Sequence, residues 1–327
     1  MIKTLINSWK VPELRKKLLF TILIIIVFRI GSVIPVPFLN VEALSGMMGS
    51  LADGGAILAY LDTLSGGAFA QATLFAMSVS PYINASIIMQ LMAVAIPYLE
   101  SLQKEGEEGR KKLTAITRYL TISLGLLQGT AFYFYLKSGS YMGQSIVKYT
   151  QGPEGLFAAA VIIFCFTAGT ALMMWLGEQV NVKGVGNGIS ILMFAGIVSR
   201  MPSLIKKLVD YFSLAVHSPT TFGKFYVYVP VFVFMFFFMM WVIVYMNDAE
   251  RRVPVQYSKR TVGRKMYAGQ NSHIPLKIGI AGVMPIIFAT SILAVPNFVN
   301  FFAHPSGIMK KILDSFSING LVYTITY

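Results

Sequence analysis

The chain has 327 residues, of which 55% are hydrophobic and only 13% charged, whereas a soluble domain carries about 25% charged residues. A larger core cannot absorb that deficit, because a soluble surface still has to be covered, so the composition indicates a multi-span membrane protein and excludes soluble enzymes, secreted disulfide scaffolds and DNA-binding domains. The formal net charge of +13 in such a protein sets orientation or meets anionic lipid more often than it binds nucleic acid.

The apolar run after Lys17 lacks a small-residue cleavage site and leads into further spans, so no cleavable signal peptide is expected. Residues 18–36, interrupted by Arg29, form the first span. The next window, between Asp62 and Glu100, holds 37 uncharged residues; as one helix it would be about 55 Å long, nearly twice what a bilayer needs. It also opens with Ser65-Gly66-Gly67 and carries Pro81 in its middle. A short half-inserted segment followed by a true span fits better, as where irregular backbone lines a cavity.

Uncharged windows of bilayer length follow at 119–136, 155–177, 225–246 and 278–303. A shorter one, 184–199, has 16 residues and barely spans unless it runs on past Arg200. Seven spans result. With the N-terminus inside, 18 Lys and Arg fall on the cytoplasmic side and 8 outside, with Arg29 inside the first span, as the positive-inside rule requires. One stretch argues the other way: 200–224 places Arg200, Lys206, Lys207 and Lys224 outside. After the seventh span, residues 321–327 read as the first turns of an eighth that the chain does not complete, so a truncated chain is expected.

Catalytic chemistry is hard to find. His217, His273 and His304 are assigned to loops without metal-ligand spacing, and there is no HExxH motif. The only cysteine, Cys165, lies within an apolar stretch, which offers neither a disulfide framework nor a thiolate metal site. Gly184-Val185-Gly186-Asn187-Gly188 follows a span rather than a strand and lacks the Gly-Lys-Ser/Thr ending, so it reads as a tight loop into the fifth span. Arg29 is the one ionisable residue assigned within a span, near enough to its outer end to snorkel or pair. An ion-coupled solute transporter should show buried charge near the midplane, and an intramembrane enzyme a nucleophile–base or metal set; the sequence offers neither.

Several motifs are long and ordered: Pro12-Glu13-Leu14-Arg15, Phe28-Arg29-Ile30-Gly31 with Ile34-Pro35-Val36-Pro37, Ser65-Gly66-Gly67-Ala68, and Pro81-Tyr82-Ile83-Asn84-Ala85-Ser86-Ile87-Ile88. Lys104-Glu105-Gly106-Glu107-Glu108-Gly109-Arg110, Trp175-Leu176-Gly177-Glu178-Gln179, Gly186-Asn187-Gly188-Ile189-Ser190, Pro275-Leu276-Lys277 and Ala281-Gly282-Val283-Met284-Pro285 continue the series. From residue 12 to about 300 the chain resembles the bacterial SecY family, the channel subunit of the general protein translocase.

That resemblance implies an all-α polytopic fold, with spans in two halves of five that close like a clamshell around an hourglass pore. Here it would comprise seven transmembrane helices and a half-inserted plug, with an incomplete second half. Residues 1–200 would be the N-terminal half, with a plug at about 64–72; 201–224 would be an external connecting loop and 225–327 the incomplete C-terminal half.

Further implications concern particular residues. The plug would include Leu64, Ser65, Gly66, Gly67, Ala68 and Phe69, and the pore ring Val79, Ile83, Ile189, Met193 and Ile287. Val79/Ile83 and Ile189/Met193 are each four apart and so share a helical face; a ring of flexible apolar side chains resists ion leakage by dewetting. Asn84, Ile87, Ser291 and Val295 are candidates for a lateral gate. Arg251, Arg252, Lys259, Arg260, Arg264 and Lys265 would dock the ribosome or the SecA motor. SecE and SecG membrane subunits, a signal-bearing polypeptide substrate and anionic lipids complete the implied partners. No cofactor, metal or catalysis is implied, and the location is the bacterial cytoplasmic membrane.

Overall fold

A computed structural model describes residues 9–50, 62, 65–141, 143–217, 223–256, 260–262, 265–267 and 271–277. Helix α1 (Pro12–Gly31) starts with proline in its first turn, where the missing N–H would have no helical partner anyway. It ends short of the expected first span, because Pro35 and Pro37 draw the chain into extended backbone. A short α2 (Val41–Ser50) follows.

The long uncharged window does not form one helix. Residues 65–79 run as successive turns, and α3 (Ser80–Ala95) begins at Pro81, again a first-turn proline. Pro97 then forces Ile96 into extended backbone (φ −109, ψ 115), and α4 (Pro97–Lys104) leaves α3 at a bend of 102°. Helix α5 (Glu107–Ser138) opens on Gly106, whose φ of 79° favours glycine.

A small hairpin of β1 (Ser140–Tyr141) and β2 (Gln144–Ser145) leads to α6 (Gly152–Lys183). Helices α5 and α6 pack along Gly125 and Gly129: a Cβ at Gly125 would lie 3.3 Å from the Thr170 methyl, and one at Gly129 3.5 Å from Phe166 Cβ. Small residues four apart let two apolar helices approach closely. Thr121, Thr167 and Thr170 donate back to the carbonyls four residues earlier, so these buried hydroxyls are satisfied within their own helices.

Helix α7 (Gly188–Ser199) starts at Asn187, whose side chain accepts from the N–H groups of Ile189 and Ser190. The 184–188 loop is tied down by Thr21 Oγ1, which accepts from Val185 N–H at 3.2 Å, and by Asn181 Oδ1, which accepts from Gly188 N–H at 2.7 Å. Residues 201–217, assigned above to a connecting loop, are instead helical: α8 (Met201–His217) continues α7 after a one-residue break at Arg200. Pro202 lacks the N–H that would bond to the Val198 carbonyl, which explains the break. Leu204, Ile205, Leu208, Val209, Phe212 and Val216 keep an apolar stripe at helical spacing, which explains the continuation.

Helix α9 (Phe225–Asp248) buries none of its side chains. Phe234, Phe238, Trp241 and Tyr245 form a ladder of rings along it, with centroids 5.7–6.1 Å apart. The described residues are mostly helical, as expected, but besides the β1–β2 hairpin two further strand pairs follow this helix. Strands β3 (Glu250–Gln256) and β6 (Asn271–Lys277) pair antiparallel from Glu250–Lys277 to Gln256–Asn271, and β4 (Arg260–Val262) pairs with β5 (Lys265–Tyr267). In β3–β6, Val253 and Ile274 face each other and Pro254 lies opposite His273. Each strand has one neighbour, so Pro254 and Pro275 are tolerated where a central strand would reject them.

Among the described residues three helices are long and apolar enough to cross a membrane: α6, the continuous Gly188–His217 and α9; the bent α3–α4 pair would be a fourth. Helix α1 holds residues 18–31 of the first window and α5 the whole 119–136 window, but both carry charge clusters at their N-terminal ends. The expected seventh span and the start of an eighth lie outside the described residues. Contacts divide the chain into two compact units, one ending at Pro202 and the next beginning at Ser203.

Candidate functional site

Two buried clusters in the first unit frame the 65–79 segment. One gathers Val36, Leu44, Phe69, Ala72, Ala76, Phe132, Leu136, Ile162 and Phe166. The other gathers Ile24, Phe28, Phe75, Val79, Met173, Leu176, Val180 and Leu192. Phe69 contributes the anchor on the first side: it is buried, and its ring centroid lies 4.4 Å from that of Phe132, which in turn lies 5.2 Å from Phe166. Burying such a ring contributes roughly 1.5–3 kcal/mol.

The segment's backbone is fastened as well. Val36 N–H donates to Ala72 O, and Leu74 N–H donates to Ile34 O, both at 3.0 Å. The extended Ile34-Pro35-Val36 stretch therefore serves as a one-strand clamp. Ala72 (φ 44) and Ser78 (φ 50) sit in the left-handed region, which disfavours a side-chain-bearing residue by about 1–2 kcal/mol each. Packing from both clusters holds them there.

At the front of the segment, Gly66 (φ 68) and Gly67 (φ 93) turn the chain against the end of α7. A Cβ at Gly66 would come within 2.7 Å of both the Gly196 carbonyl oxygen and Ser199 Oγ, so glycine is required for space as well as conformation. Ser65 Oγ donates to Asp62 O and accepts from Phe69 N–H, both at 3.0 Å. Asp62 Oδ1 accepts from Ala70 N–H at 2.8 Å, and its Oδ2 pairs with the Arg200 guanidinium.

This ion pair corrects the sequence reading, which placed Arg29 alone within a span. Arg200 lies inside the continuous Gly188–His217 helix. The uncharged window stops at Arg200, so the sequence alone ends a span there. The available signal was that Asp62 and Arg200 each bound an uncharged window, and two opposite charges at window ends can pair. Arg29, by contrast, is exposed in the last turn of α1 beside an open apolar cavity of about 580 Å³ that Ile30, Val33, Ile34 and Pro35 line with it.

Four of the five proposed ring residues come together. Val79, buried as the N-cap residue of α3, belongs to the second cluster; Ile83, Ile189 and Met193 are half-buried and pack against it. Ile287 lies outside the described residues, as does Leu64 of the plug. Of the gate candidates, Ile87 is buried and Asn84 half-buried on α3, while Ser291 and Val295 lie outside the described residues. Arg251 and Arg252 are exposed on β3, Arg260 is on β4 and Lys265 on β5; Lys259 and Arg264 lie outside.

The histidines are placed differently from expectation. His217 ends α8, its Nδ1 2.8 Å from the Ser213 carbonyl oxygen, and His273 lies on β6; His304 is outside the described residues. Among the described residues no three His, Cys, Asp or Glu side chains converge as metal ligands.

A second ion pair went unseen in the sequence. Arg118 on α5 reaches Glu178 on α6 with two bonds, Nε to Oε1 and Nη2 to Oε2, both 2.8 Å. The Glu178 side chain is 15% exposed and that of Arg118 51%. Removing the guanidinium would leave a largely buried carboxylate unpaired. Arg118→Ala is therefore expected to destabilise by about 2 kcal/mol, less than for a fully buried pair because solvent screens the arginine. A lowered melting temperature of the detergent-solubilised protein would report this, with Arg118→Lys in between because a lysine lacks the two-pronged donor.

Comparison with known proteins agrees with this architecture. The SecY family model matches residues 73–327. The protein translocase subunit SecY of Streptomyces coelicolor is 38% identical over 321 residues, covering 96% of this chain and 72% of that relative. Two solved structures share the fold at 18% identity and 93% coverage of this chain: a protein-conducting channel (TM-score 0.60) and Sec61 in the canine ribosome–channel complex from the endoplasmic reticulum (TM-score 0.58). The present chain spans 64% of the length of each of those two chains. With a family match over most of its length and a relative at this level of identity, the chain belongs to the SecY family of protein translocase subunits.

Proposed function

We propose that this chain supplies the N-terminal half, residues 1–200, and part of the C-terminal half, residues 225–327, of a seven-span-or-longer channel that conducts unfolded secretory polypeptides. It would lie in the bacterial cytoplasmic membrane with its N-terminus in the cytoplasm, as the distribution of Lys and Arg favours. The observation that carries the reading is the convergence of Val79, Ile83, Ile189 and Met193 on one apolar cluster that also takes in Phe75 of the turn-rich segment. Apolar side chains at such a constriction offer water and ions no hydrogen bonds, so an empty pore dewets, yet they deform around an extended chain. Ile287 would complete the ring, and residues from about 64 to 72 would be the plug above it.

In this reading the chain does no chemistry of its own, and energy comes from the SecA motor, the ribosome or the proton-motive force. SecE and SecG would complete the membrane complex. Asn84 and Ile87, with Ser291 and Val295, would form the seam through which apolar segments pass into lipid. The β3–β6 ribbon, with Arg251, Arg252, Lys259, Arg260, Arg264 and Lys265 along and beyond it, would dock the ribosome or SecA; the ribosome's RNA is a polyanion that such a loop steers toward itself.

A photo-crosslinker at position 83 tests the pore directly. The chain is co-expressed with SecE and SecG, and a secretory polypeptide is stalled in transit. An adduct between residue 83 and the polypeptide is expected. If none forms, either in this chain or in one extended to the length of its relatives, the placement of the pore is wrong.

A further inference from the structure

We propose that the Asp62–Arg200 ion pair is a charge latch holding the plug closed, so that the plug leaves only after this pair separates. The proposal rests on the reading of residues 64–72 as plug and adds the residues that fasten it. Asp62 is the knot of the turn. One carboxylate oxygen takes Ala70 N–H, the other takes Arg200, and its own carbonyl accepts from Gly67 N–H at 2.9 Å and from Ser65 Oγ. Freeing Asp62 from Arg200 therefore loosens Ser65, Gly67 and Ala70 together, since all three bond to Asp62. Ser199 Oγ, 3.5 Å from Gly66 O, is a weaker neighbour of the same contact.

The latch differs in kind from the plug's apolar hold. Contact of Phe69 with Phe132 fades gradually as the segment slides. An ion pair of which Asp62 is 12% and Arg200 37% exposed is strong at contact and loses its Coulomb energy once water enters between the charges. Such a device has two states, latched and free.

Position couples it to the pore. Arg200 caps α7 seven residues after Met193 and eleven after Ile189 and keeps right-handed helical backbone, so it lies near the face that carries both, about 10 Å beyond Met193 along the axis. A polypeptide that wedges Ile189 and Met193 aside pushes on the helix that carries the latch. Opening the ring and releasing the plug then become one event rather than two.

The test uses complete translocase complexes in planar bilayers and reads the resting potassium chloride conductance with no substrate present. Asp62→Asn and Arg200→Gln should each raise it roughly tenfold, the order expected when one partner of a half-buried charge pair is removed. The double variant should leak no more than either single one, because both remove the same interaction. Arg200→Lys, which keeps the charge, should stay near the unaltered protein, and transport of a secretory polypeptide by the same complexes reconstituted in vesicles reports that each is folded. Multiplying effects in the double variant, or an equal leak from Arg200→Lys, would overturn the latch. If deleting residues 65–72 raises conductance while the point variants do not, the latch is refuted and the plug stands. If that deletion leaves conductance unchanged, the plug reading fails and the latch with it.

Discussion

Reversing the charge of Arg251 and Arg252 together is expected to reduce polypeptide translocation about tenfold or more while leaving insertion of the spans unchanged. The register explains why both are needed. Arg251 lies opposite Leu276 and Arg252 opposite Pro275, so adjacent positions put the two cations on opposite faces of the β3–β6 ribbon. A polyanionic partner that straddles the ribbon meets a positive charge from either side, and a single substitution leaves one face intact. Binding of ribosomes to vesicles should show a shallower dependence on salt, the logarithmic slope falling by roughly two for the two lost phosphate contacts. If ribosome affinity holds while SecA-driven transport collapses, the ribbon serves the motor. Unchanged transport by the reversed variant would remove the docking role altogether.

Gly169→Val should be severely damaging to the first unit. A Cβ at this position on α6 would collide with the carbonyl oxygen of Leu74, which is backbone and cannot swing away. Leu74 is itself pinned through its N–H to Ile34. Either α6 or the 65–79 segment must move, and overpacking of this kind costs about 3 kcal/mol or more. The protein should accumulate poorly in the membrane, and what does fold should leak ions at rest, because the displaced segment includes residues of the proposed plug. Gly125→Ala makes the comparison: its nearest neighbour is a threonine methyl at 3.3 Å, which can give by a few tenths of an ångström, so a loss of about 1 kcal/mol is expected. Equal melting temperatures for the two variants would contradict the packing described here.

Much of the helical framework was legible because bilayer length is a strict requirement. Windows without charge had to be near 20 residues long, and the runs at 155–177 and 225–246 fall inside α6 and α9. The 37-residue window was legible as an exception for the same reason. Chain direction within it was not. The turns of 65–79 follow from contacts with Phe132, Ile34 and Arg200, all distant in sequence, and the 102° bend at Pro97 is fixed by where α4 packs. Arg200 misled in a physical way. A charge ordinarily ends a span, but a charge with a carboxylate waiting can be carried within one. The β-ribbon was hidden by its own cations: Val253, Val255, Ile274 and Leu276 alternate as strand residues should, yet the register that joins them spans a loop of many residues and is not written in either strand alone.

The two prolines of that ribbon have a consequence for the cell. A two-stranded ribbon has two open edges, each a template on which another copy could add a strand and begin a stack. Pro275 and Pro254 withhold a donor on either side of the central Val253–Ile274 pair, one on each strand, and the arginines of β3 repel a like-charged neighbour. In a membrane crowded with identical copies, the surface proposed to dock a large partner is thereby kept from recruiting its own kind.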